Sequence, residues 1–321
     1  MEDCYRNAEE KGRIVMKKEV MGLIVKRDDG SEIVNYDNPS FPSYIYPGWV
    51  APKVTWERVP HFHEDTEMVA VTEGTLAYSV NGKTLVLEAG DTIFINSNQI
   101  HYLICLNESV ARYVIFVCHP SIISTSVDVE MNAVLPITQN NDLSYIRFRC
   151  MNEYSKKIFS IMMELPDIRH DSFQITKHMF EMWEIIMKQS SAIGMLEKDT
   201  EGADIHRQSF KSMMYYIQQN YQGNLTLDNI AASGNISKSL CNRLFNIYVG
   251  ESPISYVMHF RVRKAAEYLR STAYPLAQIA DMTGFCGVSY MSETFRKFLG
   301  SSPSRYRKQW QDPEHASPSD R

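Results

Sequence analysis

The chain has 321 residues, with 38 Asp/Glu against 33 Lys/Arg, a net charge of −5, and a hydrophobic fraction of 44%. That length accommodates about two domains. No apolar run is long enough to cross a bilayer and the charged N-terminus lacks the apolar core of a signal peptide, so a cytoplasmic protein with no membrane partner is expected. The six cysteines, Cys4, Cys105, Cys118, Cys150, Cys241 and Cys286, have no zinc-type spacing and read as free thiols.

Before about Pro136 the apolar residues alternate with period two, and after Asn152 they follow a helical period. The run 75–87 alternates around Asn81-Gly82, a dipeptide that favours a two-residue hairpin turn. Further apolar strands are expected at 93–95, 102–106 and 113–117. Many short strands at this spacing predict a jelly-roll or barrel.

Within this half runs His61-x-His63-x3-Glu67-x6-Gly74, followed by Gly90 and by His101 eleven residues later. The first string is similar to the first motif of cupin barrels, and the second matches that family's second motif in part. Asn96 stands where that motif has Pro, and Asn98 where it has Gly. The resemblance implies that His61, His63, Glu67 and His101 surround one pocket. Imidazoles with one carboxylate suit a divalent transition metal such as Zn, Fe, Ni or Cu. The same polar groups can instead line a small-molecule effector pocket with no cofactor, and both uses stay open. Trp56 and Tyr78, on alternating segments in or beside the motif, are the preferred pocket walls.

Two amphipathic helices are expected over 153–165 and 173–189, packing on the barrel or forming a dimer seam. The polar stretch 190–202 reads as a linker, and 312–321 as a disordered tail.

Near the C-terminus one pattern occurs twice. Phe245, Gly250, Pro253 and Tyr256 recur 50 residues later as Phe295, Gly300, Pro303 and Tyr306. Upstream stand Ile230-Ala231 with Gly234 and Ile279-Ala280 with Gly284, so the second copy has one more residue between Ala and Gly. A short helix, a Gly-marked turn and a second helix form a helix-turn-helix. The strings Ile279-Ala280-x3-Gly284-Phe285, Phe295-Arg296-Lys297 and Gly300-x-Ser302-Pro303-x2-Tyr306-Arg307, with the joining helix at 255–270, resemble the DNA-binding domain of AraC/XylS-type regulators over about a third of the chain. Charge agrees: 207–311 holds 13 Lys/Arg and 5 Asp/Glu, a net of +8, against −11 for 1–206.

Base contacts are expected from the start of each second helix, on the side away from the apolar face. In the first unit these are Lys238, Ser239, Asn242 and Arg243, after an N-cap at Ser237. In the second they are Val288, Ser289, Ser292 and Glu293, with Arg296 and Lys297 anchoring the backbone.

The expected fold class is therefore α+β multidomain: an N-terminal β jelly-roll (cupin-like) barrel with flanking helices, then an all-α domain of two helix-turn-helix units. The domains are a sensor over 1–150, a helical pair over 151–190, a linker over 191–206, the DNA reader over 207–311 and the tail over 312–321. The expected function is ligand-responsive transcriptional regulation by a non-enzyme, with double-stranded DNA, a small-molecule effector (by family resemblance a sugar), a second copy of the chain and RNA polymerase as partners. The alternative is a metal-dependent cupin enzyme or a metal sensor joined to a DNA-binding domain.

Overall fold

The computed structural model describes residues 25–27, 31–38, 40–50, 59–106, 110–193 and 203–311. Trp56, Cys4, most of the expected linker and the 312–321 tail lie outside them.

Among the described residues the N-terminal half carries ten strands. They are β1 (Val25–Lys26), β2 (Glu32–Ile33), β3 (Ser43–Val50), β4 (Thr66–Glu73), β5 (Thr75–Val80), β6 (Lys83–Glu88), β7 (Thr92–Ile95), β8 (His101–Cys105), β9 (Ala111–Cys118) and β10 (Tyr145–Phe148). They form a five-stranded sheet in the order β10-β7-β4-β9-β3, a three-stranded sheet β6-β5-β8 and the small pair β1-β2. The expected closed barrel is not formed. Among the described residues no ladder joins the two large sheets, and the chain crosses from one to the other at the corner between β4 and β5. The sheets face each other as an open sandwich over a core containing Val69, Ile93 and Ile95 from one and Leu76, Tyr78 and Leu87 from the other. Inward alternation is the same in a sandwich and in a barrel, so the sequence pattern does not distinguish them.

The hairpin turn is where Asn81-Gly82 placed it. Both residues have positive φ, +49° and +83°, the conformation that matches strand twist in a two-residue loop. The two departures from the second cupin motif are also accommodated. Asn98 adopts φ +63°, a left-handed conformation that Asn tolerates better than most residues. Asn96 donates to the carbonyls of Ile137 and Leu143 at 2.7 and 2.9 Å and so ties β7 to the irregular helical stretch before β10.

The outer face of the five-stranded sheet is covered by α1 (Glu153–Glu164) and α2 (Ser172–Ile193). Ile158, Met162, Met179, Trp183 and Ile186 join Met68, Phe94 and Phe116 in one buried cluster, so this helical pair packs within its own chain. Asn152 caps α1 by accepting from the Ser155 amide at 2.9 Å.

The C-terminal domain is all-helical: α3 (Ala203–Asn220), α4 (Leu227–Ser233), α5 (Lys238–Tyr248), α6 (Pro253–Ser271), α7 (Leu276–Met282), α8 (Val288–Leu299) and α9 (Pro303–Gln311). The first helix-turn-helix, α4-α5, packs with α3 around Phe210, Met213, Ile230, Leu244 and Phe245. The second, α7-α8, packs with α9 around Ile279, Ala280, Met291, Phe295 and Tyr306. Helix α6 spans both, with Tyr256 and Val257 in the first core and Val262, Ala265 and Leu269 in the second.

The repeat is closer than its spacing implied. The left-handed turn residue of the first unit is Asn235, with φ +53°, and not Gly234; its counterpart is Gly284, with φ +76°. Ile236 N bonds to Ala231 O at 3.1 Å, as Phe285 N bonds to Ala280 O at 2.9 Å. The extra residue of the second unit therefore falls after the turn, ahead of α8. The cysteines Cys105, Cys118, Cys150, Cys241 and Cys286 are free thiols.

Candidate functional site: a buried His/Glu pocket and an exposed helical reading surface

The pocket lies where the segment before β4 meets the start of β8. His61 forms a backbone bridge with His101, through His61 N to His101 O at 3.1 Å and His101 N to His61 O at 2.9 Å. His63 follows two residues on, and Glu67 lies on β4. One ligand atom from each of His61, His63, Glu67 and His101 lies within 4.8 Å of the others. His63, Glu67 and His101 are buried, while His61 is partly open.

All three imidazoles are held in the same way. Nδ1 of His61 meets Val59 O at 2.8 Å, that of His63 meets Asp65 O at 3.1 Å, and that of His101 meets Gln99 O at 2.8 Å. A carbonyl oxygen can only accept, so each Nδ1 carries the proton. In the neutral ring Nε2 then keeps a lone pair, the arrangement that prepares imidazole as a metal ligand. Glu67 Oε2 lies 3.4 Å from His63 Nε2 and 3.3 Å from His101 Nε2. His101 Nε2 is buried, and among the described residues it has the Glu67 contact but no well-aligned hydrogen-bond partner. The Tyr78 hydroxyl donates to the other oxygen of Glu67 through a short hydrogen bond.

Charge balance follows from this geometry. Burial, reinforced by His101 and His63, pushes His61 well below the usual imidazole range. Burial also pulls His63 down, but the Glu67 hydrogen bond and charge, aided by Glu32 and Asp65, outweigh it and raise the ring above its usual value. Burial opposes ionisation of Glu67, yet His101 and His63 hold its carboxyl well below the ordinary range. Burial first, and then Glu67, drives the Tyr78 hydroxyl well above its usual value, so it remains a donor. Three nitrogen donors and an ionised carboxylate fit a divalent transition metal, and this set can coordinate one.

The sequence reading missed Glu32, whose Oε2 lies 3.9 Å from His61 Nε2 at the rim. It comes from a two-residue strand with no motif around it, so no local signal marks it.

In the reading domain Ser237 caps α5, accepting from Leu240 N at 3.2 Å. Lys238, Ser239 and Arg243 are exposed. Lys238 Nζ reaches Asp228 at 2.9 Å, while Asn242 folds back on its own helix, donating to Lys238 O at 3.0 Å. On α8, Ser289, Glu293, Arg296 and Lys297 are exposed and Ser292 is half-buried. Val288 is half-buried and packs against the second core. Tyr290 is 47% exposed. The inward stripe is Met291, Phe295 and Phe298, and Tyr290 lies one position off it.

Comparison with known proteins bears on both parts. A cupin domain family matches residues 46–118, and a helix-turn-helix domain family matches 230–309. An AraC-like transcription regulator of Streptomyces antibioticus is 30% identical over 97 residues, covering 30% of this chain and 32% of that protein. The chain is a helix-turn-helix regulator with an N-terminal cupin domain, related to the AraC family.

The regulator is also 24% identical over 254 residues to the HTH-type transcriptional regulator YdeC of Bacillus subtilis, covering 77% of this chain and 85% of that one. Its superposition on ToxT of Vibrio cholerae has a TM-score of 0.43 at 12% identity, covering 84% of this chain and 99% of that one. It binds DNA through its helical domain and carries a cupin-like sensor. Among the described residues no helix is long and apolar enough to cross a membrane.

Proposed function

We propose that the regulator is cytoplasmic, non-catalytic and controlled by a divalent transition-metal ion held by His61, His63, Glu67 and His101. The carrying observation is the shared tether of the three rings, which engages Nδ1 of each with a backbone carbonyl and leaves Nε2 as the ring nitrogen not bound to the backbone. A bound ion would supply a Lewis-acidic point for an anionic or hydroxyl-bearing effector. The chain's own groups do the rest: backbone carbonyls fix the rings, Tyr78 orients Glu67, and Glu32 guards the rim.

Base readout is assigned to Lys238, Ser239, Asn242 and Arg243 in the first unit. In the second it is assigned to Ser289, Tyr290, Ser292 and Glu293, with Arg296 and Lys297 on phosphates. A homodimer would form through the outer face of the helical pair, where Phe173 and Phe180 of α2 are 77% and 40% exposed, seven residues apart. A reader bound beside a promoter is placed to contact RNA polymerase.

The test is metal analysis of the purified protein after dialysis against Zn²⁺, followed by DNA titrations with and without the ion. About one equivalent retained, and a DNA affinity that changes with metal, are expected. His61→Ala with His101→Ala should abolish that change while leaving metal-free DNA binding intact. Less than about a tenth of an equivalent would overturn the metal reading.

A further inference from the structure

In extended backbone, successive side chains point to opposite faces. His61 and His63 face the pocket, so Phe62 between them faces away; His101 faces the pocket, so Ile100 faces away. Both outward residues meet the DNA-reading domain. Ile100 is 1% exposed and belongs to the core of the first helix-turn-helix unit, with Phe210, Met213 and Ile217 of α3. The Lys211 ammonium lies over the Phe62 ring, 4.1 Å from its centroid. Lys211 Nζ also donates to Asn98 O at 2.8 Å.

These contacts are bonded directly to the pocket. Asn98 N bonds to His63 O at 2.7 Å, and Gln99 O holds the His101 ring. Asn81 grips Ile100 from both sides, through Asn81 N to Ile100 O at 2.7 Å and Ile100 N to Asn81 Oδ1 at 3.1 Å. Its neighbour Gly82 abuts the end of the reading helix α5, where an added Cβ would stand 2.5 Å from Ile247 O. A cleft of about 720 Å³, lined by Phe62, Asn98, Lys211 and Tyr215 among others, runs beside the contact. Helix α3 is thus held at a few points with room beside it. Among the described residues, the core of the second unit contains none from the sandwich.

We propose that occupancy of the His/Glu pocket is transmitted to the first helix-turn-helix unit through Phe62 and Ile100, which lie back to back with the ligand histidines and seat α3. Drawing His61, His63 and His101 together around an ion moves the backbone that carries Phe62 and Ile100, and α3 follows with α5. The second unit, which meets the first through α6 and through Gly284 against the α3–α4 loop, stays in place. This inference rests on the pocket taking a metal ion, and the experiment separates the two claims.

Backbone hydrogen exchange is measured on the full chain with and without Zn²⁺, with uptake of Co²⁺ followed by its absorption as an independent binding readout. The wild type should bind the ion and change exchange in α3 by about tenfold, with α7–α9 unchanged. Ile100→Ala and Lys211→Met should bind the ion as the wild type does, but with the α3 response reduced to below about threefold. Should Ile100→Ala fail to fold, Lys211→Met, which alters only a contact on the reading-domain side, decides. Ion binding by the wild type with no change in α3 would overturn the transmission and leave the pocket reading standing. Full α3 response in the folded variants would overturn the route through Phe62 and Ile100. Absence of ion uptake would overturn the pocket reading and the transmission with it.

Discussion

Gly284 is held at φ +76°, and a Cβ there would stand 2.6 Å from Tyr221 O and 2.7 Å from Gln222 O. Both the conformation and the close backbone approach exclude a side chain. Gly284→Ala should therefore lower stability by about 2 kcal/mol or more, read as a fall in unfolding midpoint. An unchanged midpoint would mean that the α3–α4 loop moves aside at no cost. Arg243 presents the exposed guanidinium of α5. Arg243→Ala should weaken binding to a specific site by about 1–3 kcal/mol. Titration against specific and scrambled DNA decides the role, since equal losses on both would make Arg243 a phosphate anchor.

At the scale of elements, the first reading unit depends on a residue from the other domain. A fragment of residues 203–311 lacks Ile100, which the intact chain buries among Phe210, Met213 and Ile217. Full burial of such a side chain contributes about 1.5–3 kcal/mol. In that fragment α3–α5 should exchange their amides faster than α7–α9, by roughly one to two powers of ten. Equal protection of the two units would contradict the place given to Ile100.

Local signals carried much of this organisation. The Asn81-Gly82 turn, the Ser237 cap, the duplicated helical units and the His/Glu set each depend on residues close in sequence or on a repeated spacing. What was not legible depends on pairings distant in sequence. Sheet closure is decided by which strand edges meet, and Glu32 approaches His61 from 29 positions upstream. Ile100 reads as an ordinary strand-edge apolar residue until α3 is placed against it.

Over the whole molecule, a basic reader with a net of +8 is joined to an acidic sensor half with −11. Binding should weaken steeply with salt, because phosphate neutralisation releases counterions. The most direct test of the account is selection of binding sites from random duplex DNA by the full-length protein, with and without Zn²⁺, followed by titration of the enriched sequence. An enriched site with two contact regions about one helical turn apart, one for each unit, is expected. Metal should change its affinity, and His61→Ala with His101→Ala should abolish this metal effect. Enrichment of a two-part site bound equally with and without metal would contradict the claim that the cupin pocket controls the reader.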